Sequence, residues 1–201
     1  RGIKAGSVVD LDQAEKAIRL AVDCAERMAG LTVESLIVSL SCGRLGSETF
    51  SGRYDLTGTE VTESDIQRVL EVGSNYTCKD GRAIVHALPI GYALDTNRGI
   101  RDPRGMIGSV LSVDTHLVSA DAAPLRNLEI CINRAHLEVE TMVATPYASG
   151  LSTLVDDETQ MGVACVDIGG GTTKISVFAD GQCVHVDAFA LGGHHVTMDL
   201  A

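Results

Sequence analysis

The sequence predicts an α/β protein, and three observations support that expectation. Segments with apolar residues at helical spacing alternate with short apolar runs of strand length. The helical segments open on capping signals at Asp10-Leu-Asp-Gln13, Glu60-Val-Thr62 and Asp121. Composition agrees: 45% of the 201 residues are hydrophobic but only 3% are aromatic and Trp is absent, so Val, Ile, Leu and Ala must build the core. A chain of this length can form one substantial core or two small domains.

Asp10 is the expected N-cap of a first helix, with Gln13 at the third helical position. Ala14, Ala17, Ile18, Ala21, Val22, Ala25 and Met28 then recur at helical spacing until Gly30 stops the helix. That stripe predicts an amphipathic helix packed on a sheet. Residues 33–41 follow as a strand around Leu36-Ile-Val38, and from Cys42 to Val61 small polar and charged residues interrupt the apolar pattern. Thr62 caps a second helix with Asp65 at its third position and Ile66, Val69, Leu70 and Val72 on the buried face. Residues 83–95 and 109–119 read as two long strands joined by a Gly/Pro/Arg-rich loop, residues 97–108. Arg82, Arg98, Arg101 and Arg104 are expected on a solvated surface. Asp121 caps a third helix reaching about Ala135, residues 139–143 form a short strand, and Pro146 suits the first turn of another helix. Asp156-Asp-Glu158 reads as an acidic turn.

The chemistry concentrates in Val166-Asp167-Ile168-Gly169-Gly170-Gly171-Thr172-Thr173-Lys174, a glycine turn between two strand-like segments. A third strand, residues 183–188, follows the hairpin turn Asp180-Gly181. Glycines let backbone N–H groups approach an anion without Cβ obstruction, and consecutive N–H groups pointing inward form a nest for phosphate. Spacing excludes a P-loop, because Lys174 follows two threonines and leads into a strand. The dinucleotide fingerprint would need glycine at position 174 and a helix next.

The net charge of -11 disfavours nucleic acid and anionic lipid at long range. No apolar stretch approaches the roughly 20 residues that span a bilayer, and the first residues are no signal peptide, so the expected compartment is the cytosol. Six cysteines at 24, 42, 78, 131, 165 and 183 form no C-x-x-C pair and are expected as small buried hydrophobes. His194 and His195 are adjacent and diverge by about 100° on a helix, which gives them a structural or surface role rather than a metal site.

The Asp-x-Gly-Gly-Gly-Thr turn resembles the second phosphate loop of the actin, Hsp70 and sugar-kinase superfamily. More narrowly, Val85-His-Ala-Leu-Pro-Ile-Gly-Tyr-Ala-Leu94, Gly99-Ile-Arg-Asp-Pro-Arg-Gly105 and the closing Gly192-Gly-x-x-x-Thr-x-Asp199 make the whole chain similar to FtsA, a bacterial actin-like cell-division family, with an alphaproteobacterial wording at the close. The resemblance implies a fragment of an actin-like (ribonuclease H-like) ATPase fold with an inserted strand-helix-strand-strand subdomain. Its implied divisions are residues 1–45 (first lobe, lacking its first strands), 46–119 (insertion), 120–160 (return to the first lobe) and 161–201 (start of the second lobe). It implies ATP and Mg2+ as cofactors, with Asp167 toward the metal and Gly169, Gly170, Gly171, Thr172 and Thr173 toward phosphate.

Implied partners are FtsZ filaments, other division proteins, further copies of the chain in filaments, and the inner face of the cell membrane at the division site through a C-terminal helix beyond residue 201. Nucleic acid is not among them. The family's insertion contacts neighbouring subunits, which offers Arg101 and Arg104 a second role. Chaperones of the superfamily carry Glu before the Pro where this chain has Thr145, and a hydroxyl is a poor base near neutral pH, so weak or absent ATPase activity is expected. An Hsp70-like chaperone ATPase and an actin-like pilus-assembly protein are the alternatives.

Overall fold

The computed structural model describes residues 2–41, 44–56, 60–74 and 81–200, and Cys42 and Cys78 lie outside them. Two short strands unforeseen in the sequence, β1 (Ile3–Lys4) and β2 (Ser7–Val8), pair around a turn with Ala5 and Gly6 at positive φ. The first helix, α1 (Leu11–Ala29), begins as expected. Asp10 Oδ1 accepts the Gln13 backbone N–H at 3.0 Å, Gln13 Nε2 donates to Asp10 Oδ2 at 2.9 Å, and Gly30 ends the helix at φ 70°. Its apolar stripe does not lie on a sheet. The helix packs on α3 (Ala122–Arg134), where Arg134 pairs with Asp12 at 2.7 Å and Glu15 at 2.9 Å. Ala14 is buried while Met28, at the C-terminal end of the helix, is 90% exposed.

The parallel pair β3 (Ser35–Leu40) and β8 (Glu138–Ala144) brackets the central part of the chain. Between them run β4 (Gly46–Asp55), α2 (Glu63–Ser74), β5 (Arg82–Leu94), β6 (Asn97–Ile100) and β7 (Val110–Asp121), whose strands form an antiparallel sheet in the order β4-β7-β5-β6. The length of β4 was hidden because its alternation is sparse: Phe50 and Tyr54 flank Gly52 on the inward face, and the remaining residues are mostly polar. Backbone pairing with β7 from Gly46↔Ser119 to Asp55↔Val110 makes it a strand. The expected loop of residues 97–108 likewise begins as a strand.

One face of this sheet packs Leu94, Leu111 and Val113 on Val61, Ile66 and Val69, while Val72 is 39% exposed, outside the face expected for it. The Thr62 cap is reversed in sense: its N–H and hydroxyl donate to Asp65 at 3.0 and 2.6 Å. The other face puts Val118 and Ala120 against Leu40, Leu45, Leu125, Ala144, Phe178, Cys183 and Val186. His116 lies on the same side of β7, 1% exposed, with neither ring nitrogen hydrogen-bonded among the described residues.

Two expectations about charged residues are corrected here. Arg82 is not a loop-surface residue: it donates to Ser119 O, Ser119 Oγ, Arg44 O and Asp121, because β5 places it beside the end of β7. Asp121 precedes α3 but makes no side-chain cap bond, since Arg44 and Arg82 take its carboxylate. Arg104 pairs with Glu63 and Asp102, and Arg101 donates to Gln160.

The chain continues through α4 (Thr145–Thr153) and α5 (Asp156–Met161) into a three-stranded antiparallel sheet, β9 (Val163–Ile168), β10 (Thr173–Ala179) and β11 (Gln182–Phe189), then α6 (Gly193–Asp199). The acidic triplet read as a turn instead opens α5, where Glu158 accepts the Val155 N–H at 3.0 Å and negative charge suits a helix N-terminus. Asp180 and Gly181, at φ 50° and 76°, close the β10–β11 hairpin as expected. Cys131 and Cys183 are buried and Cys165 half-buried, but Cys24 is exposed on the outer side of α1. Among the described residues no helix is long and apolar enough to cross a membrane.

Candidate functional site

The antiparallel register sets Thr173 opposite Ile168 and Lys174 opposite Asp167, so residues 169–172 form a tight connection between β9 and β10. Gly169 N–H donates to Thr172 O at 2.9 Å and tightens the turn. The N–H groups of Gly170, Gly171 and Thr172 have no hydrogen-bond partner among the described residues, and Gly170 is exposed. Three neighbouring unspent donors on one turn form the kind of concavity that takes an anion.

The outer side of the turn is held by α6. Gly193 N–H donates to Gly169 O at 2.9 Å and His194 N–H to Gly170 O at 2.8 Å, which turns these carbonyls toward the helix. A Cβ on Gly192 would stand 2.4 Å from Gly169 O and 2.8 Å from Gly170 O, so only a hydrogen fits there. Thr173 Oγ1 donates to Leu191 O at 2.7 Å and His195 Nδ1 accepts the Gly192 N–H at 3.1 Å, so both side chains brace the same junction. On the opposite flank the β1–β2 turn reaches the loop, with Ala5 Cα 4.0 Å from where a Gly171 Cβ would be.

The inner face of the hairpin turns toward α4. Asp167 Oδ2 accepts Lys174 Nζ at 2.9 Å and Ser149 Oγ at 3.2 Å, with the lysine side chain 8% exposed and the aspartate 32%. One turn earlier on α4, Thr145 Oγ1 accepts Ser41 Oγ at 2.8 Å and shares a 2.7 Å hydrogen bond with Ser39 Oγ, at the C-terminal ends of β8 and β3. Behind it His86 Nε2 accepts the Ala144 N–H at 2.9 Å, and the His86 ring lies 5.1 Å from that of Tyr147. Burial holds His86 below the usual histidine range, raises Tyr147, and pushes the Cys183 thiol up to about 11.

These residues suit a phosphate better than a bare metal ion. No group of three or more His, Cys, Asp or Glu among the described residues could hold a metal. Among the described residues Asp167 is the carboxylate at the loop, and its Oδ2 is already shared by a lysine and a serine. Among the described residues its Oδ1 has no hydrogen-bond partner, which leaves that oxygen open toward a magnesium ion whose other ligands would come from phosphate and water.

The expected residues Asp167, Gly169, Gly170, Gly171, Thr172 and Thr173 meet at one turn, but not in equal roles: the Gly169 amide and the Thr173 hydroxyl are spent within it. The sequence reading missed Lys174, Ser149 and Gly192. Period-two alternation places Lys174 on the inward face with Ser176 and Phe178, which was a usable signal. The Ser149 and Gly192 contacts are tertiary.

A family model described as "SHS2 domain inserted in FTSA" matches residues 43–119, and one described as "Cell division protein FtsA" matches residues 164–201. The cell division protein FtsA of Agrobacterium fabrum is 59% identical over 201 residues, which are 100% of this chain and 45% of that protein. That of Escherichia coli K12 is 31% identical, over 100% of this chain and 48% of its own length. Among solved structures, the PilM-PilN type IV pilus biogenesis complex superposes with a TM-score of 0.63 at 13% identity, over 98% of this chain and 53% of that one. The architecture is thus that of an actin-like ATPase fold. Within that class the chain belongs to the FtsA family of cell division proteins, and it spans 45% of the length of the Agrobacterium relative.

Proposed function

We propose that the chain is the part of an actin-like cell division protein that carries one wall of an ATP cleft. The Gly170, Gly171 and Thr172 amides bind the terminal phosphates, Asp167 Oδ1 faces the magnesium ion and its waters, and Gly169 and Thr173 shape the loop. The observation that carries this reading is the set of three unspent amides on a turn whose carbonyls are tied back to α6. Segments 1–45, 120–160 and 161–201 would then form the cleft side of the fold and 46–119 the inserted module.

In the complete protein, ATP acts as a conformational and polymerisation switch. Anchoring of FtsZ filaments to the cytoplasmic membrane, recruitment of other division proteins and self-association follow from the family. Hydrolysis is weak or absent: the Thr145 hydroxyl is bound to Ser39 and Ser41, and neither serine can act as a base near neutral pH. The test is ATP binding and lipid co-sedimentation by the full-length protein, with Asp167→Ala beside it. Magnesium-dependent ATP binding weakened by the substitution is the expected result, and unchanged binding would overturn the assignment. Charge reversal at Arg101 and Arg104, read by polymer formation, tests the module: loss of polymer supports a subunit contact, and unchanged polymer leaves these arginines as loop surface.

A further inference from the structure

A β-bulge carries the inserted module to the helix that flanks the phosphate loop. Along β5 the register with β7 runs Ile84↔Ser119 and then His86↔Val118, so the bulge at Val85 shifts the inward alternation from Ala83 and Val85 to His86 and Leu88. His86 thereby faces the end of β8, where the fully buried Ala144 gives its N–H to His86 Nε2 at 2.9 Å. Ala144 is also the N-cap of α4. It supplies no capping side chain, and Pro146 in the first turn has no N–H to give. The helix start is therefore fixed from outside, by Ser39 and Ser41 on Thr145 and by His86 on Ala144. The His86 ring also lies against Tyr147, whose ring stacks on Phe178 of β10 at 6.4 Å. One turn further along α4, Ser149 donates to Asp167.

Resting on the phosphate-site reading above, we propose that His86 is a positioning residue of the cleft: reaching out of the inserted module, its Nε2 sets the start of α4 and with it the Ser149 hydroxyl that aims Asp167. The contact works only with a neutral ring. Nε2 must lack a proton to accept the Ala144 N–H, which places the ring proton on Nδ1, whereas an imidazolium carries N–H on both nitrogens and would set donor against donor. The titratable groups packed around this joint are His116 on β7, Tyr147 on α4, and Cys183 and His185 on β11. Burial holds His86 below the usual histidine range, so the ring is neutral at ordinary pH. ATP binding then weakens as pH falls below about 6.5 and the module loses its grip on α4.

The test is equilibrium ATP binding with saturating magnesium by the full-length protein, as wild type, His86→Gln and His86→Leu, from about pH 8 down to the lowest pH at which circular dichroism shows the fold intact. Gln offers a carbonyl oxygen that does not titrate in place of Nε2, and Leu offers no acceptor. Near pH 8 wild type and His86→Gln should bind alike and His86→Leu about tenfold more weakly, the scale of one unmade buried hydrogen bond. Below about pH 6.5 wild type should fall toward the leucine variant while His86→Gln holds, the nucleotide's own titration being common to all three. His86→Leu equal to wild type near pH 8, or wild type and His86→Gln falling in parallel, overturns the role of His86 and leaves the phosphate site standing. Should His86→Leu fail to fold, the comparison of wild type with His86→Gln decides by itself. ATP binding that is absent, or indifferent to Asp167→Ala, overturns the phosphate-site reading and this inference with it.

Discussion

Gly192→Ala is the sharpest probe of how the loop is held. Gly192 has φ -158°, extended backbone open to any residue, so the substitution carries no conformational penalty of its own. Its effect is purely steric: the new methyl would meet Gly169 O at 2.4 Å and the Gly170 carbonyl carbon and oxygen at 2.8 Å, all backbone atoms that cannot rotate away. Overpacking of this kind costs about 1–3 kcal/mol. Relief requires lifting the loop from α6, which stretches the bonds from Gly193 and His194, each worth about 1 kcal/mol. A displaced loop no longer aims its amides at one point, and a loss of about 2 kcal/mol in ATP binding corresponds to roughly thirtyfold in affinity. The assay is equilibrium ATP binding by full-length protein, with circular dichroism to show that the fold persists. Gly193→Ala is the control, because its Cβ would sit 3.8 Å from Gly169 O, an ordinary contact. Equal binding by wild type and Gly192→Ala, or equal harm from both substitutions, would refute the reasoning.

Other expectations follow from burial and charge. Phe178→Ala removes a ring that is 2% exposed in the core shared by α4 and β10 and should lower unfolding stability by about 3–5 kcal/mol in denaturant titration. Arg82→Ala leaves the half-buried Asp121 with only Arg44 and should cost roughly 2 kcal/mol by the same measurement, unlike a solvated arginine. Burial, with smaller contributions from His185 and His86, holds His116 below its ordinary value, and burial does the same to His86. The unfolded chain therefore binds these protons first as pH falls. Stability should be full above the unfolded histidine value of about 6.5 and decline as pH drops below it toward the folded values. His116→Leu should flatten that slope in pH-resolved thermal melts, and an unchanged slope would place the titration elsewhere. ATP turnover by the full-length protein should stay well below about one per second, the low end of ordinary enzyme rates.

What the sequence made legible was local. Asp10, Gln13 and Gly30 bound α1, and Asp180-Gly181 closes a hairpin, because each depends on backbone geometry within a few residues. Where partners lie far apart in the chain, the sequence was mute or misleading. Asp121 looked like a cap until Arg82, from the neighbouring strand, and Arg44 claimed it. β4 marks its inward face only with Phe50, Gly52 and Tyr54, so its full length shows in the ladder to β7 rather than in an apolar run. At the site, the Asp-x-Gly-Gly-Gly-Thr string announced an anion-binding turn. That Gly192 must be glycine, that Ser149 holds Asp167 and that Lys174 is buried beneath the loop are facts of packing between α6, α4 and the hairpin.

The central claim is that the residue 170–172 amides receive the nucleotide's phosphates, and amide-resolved NMR of the full-length protein titrated with ATP and magnesium tests it most directly. The prediction is that the largest backbone shifts fall on Gly170, Gly171 and Thr172, with the β5–β6 hairpin of the insertion unmoved at saturation. Saturable ATP binding that leaves those three amides in place and shifts another surface would contradict it.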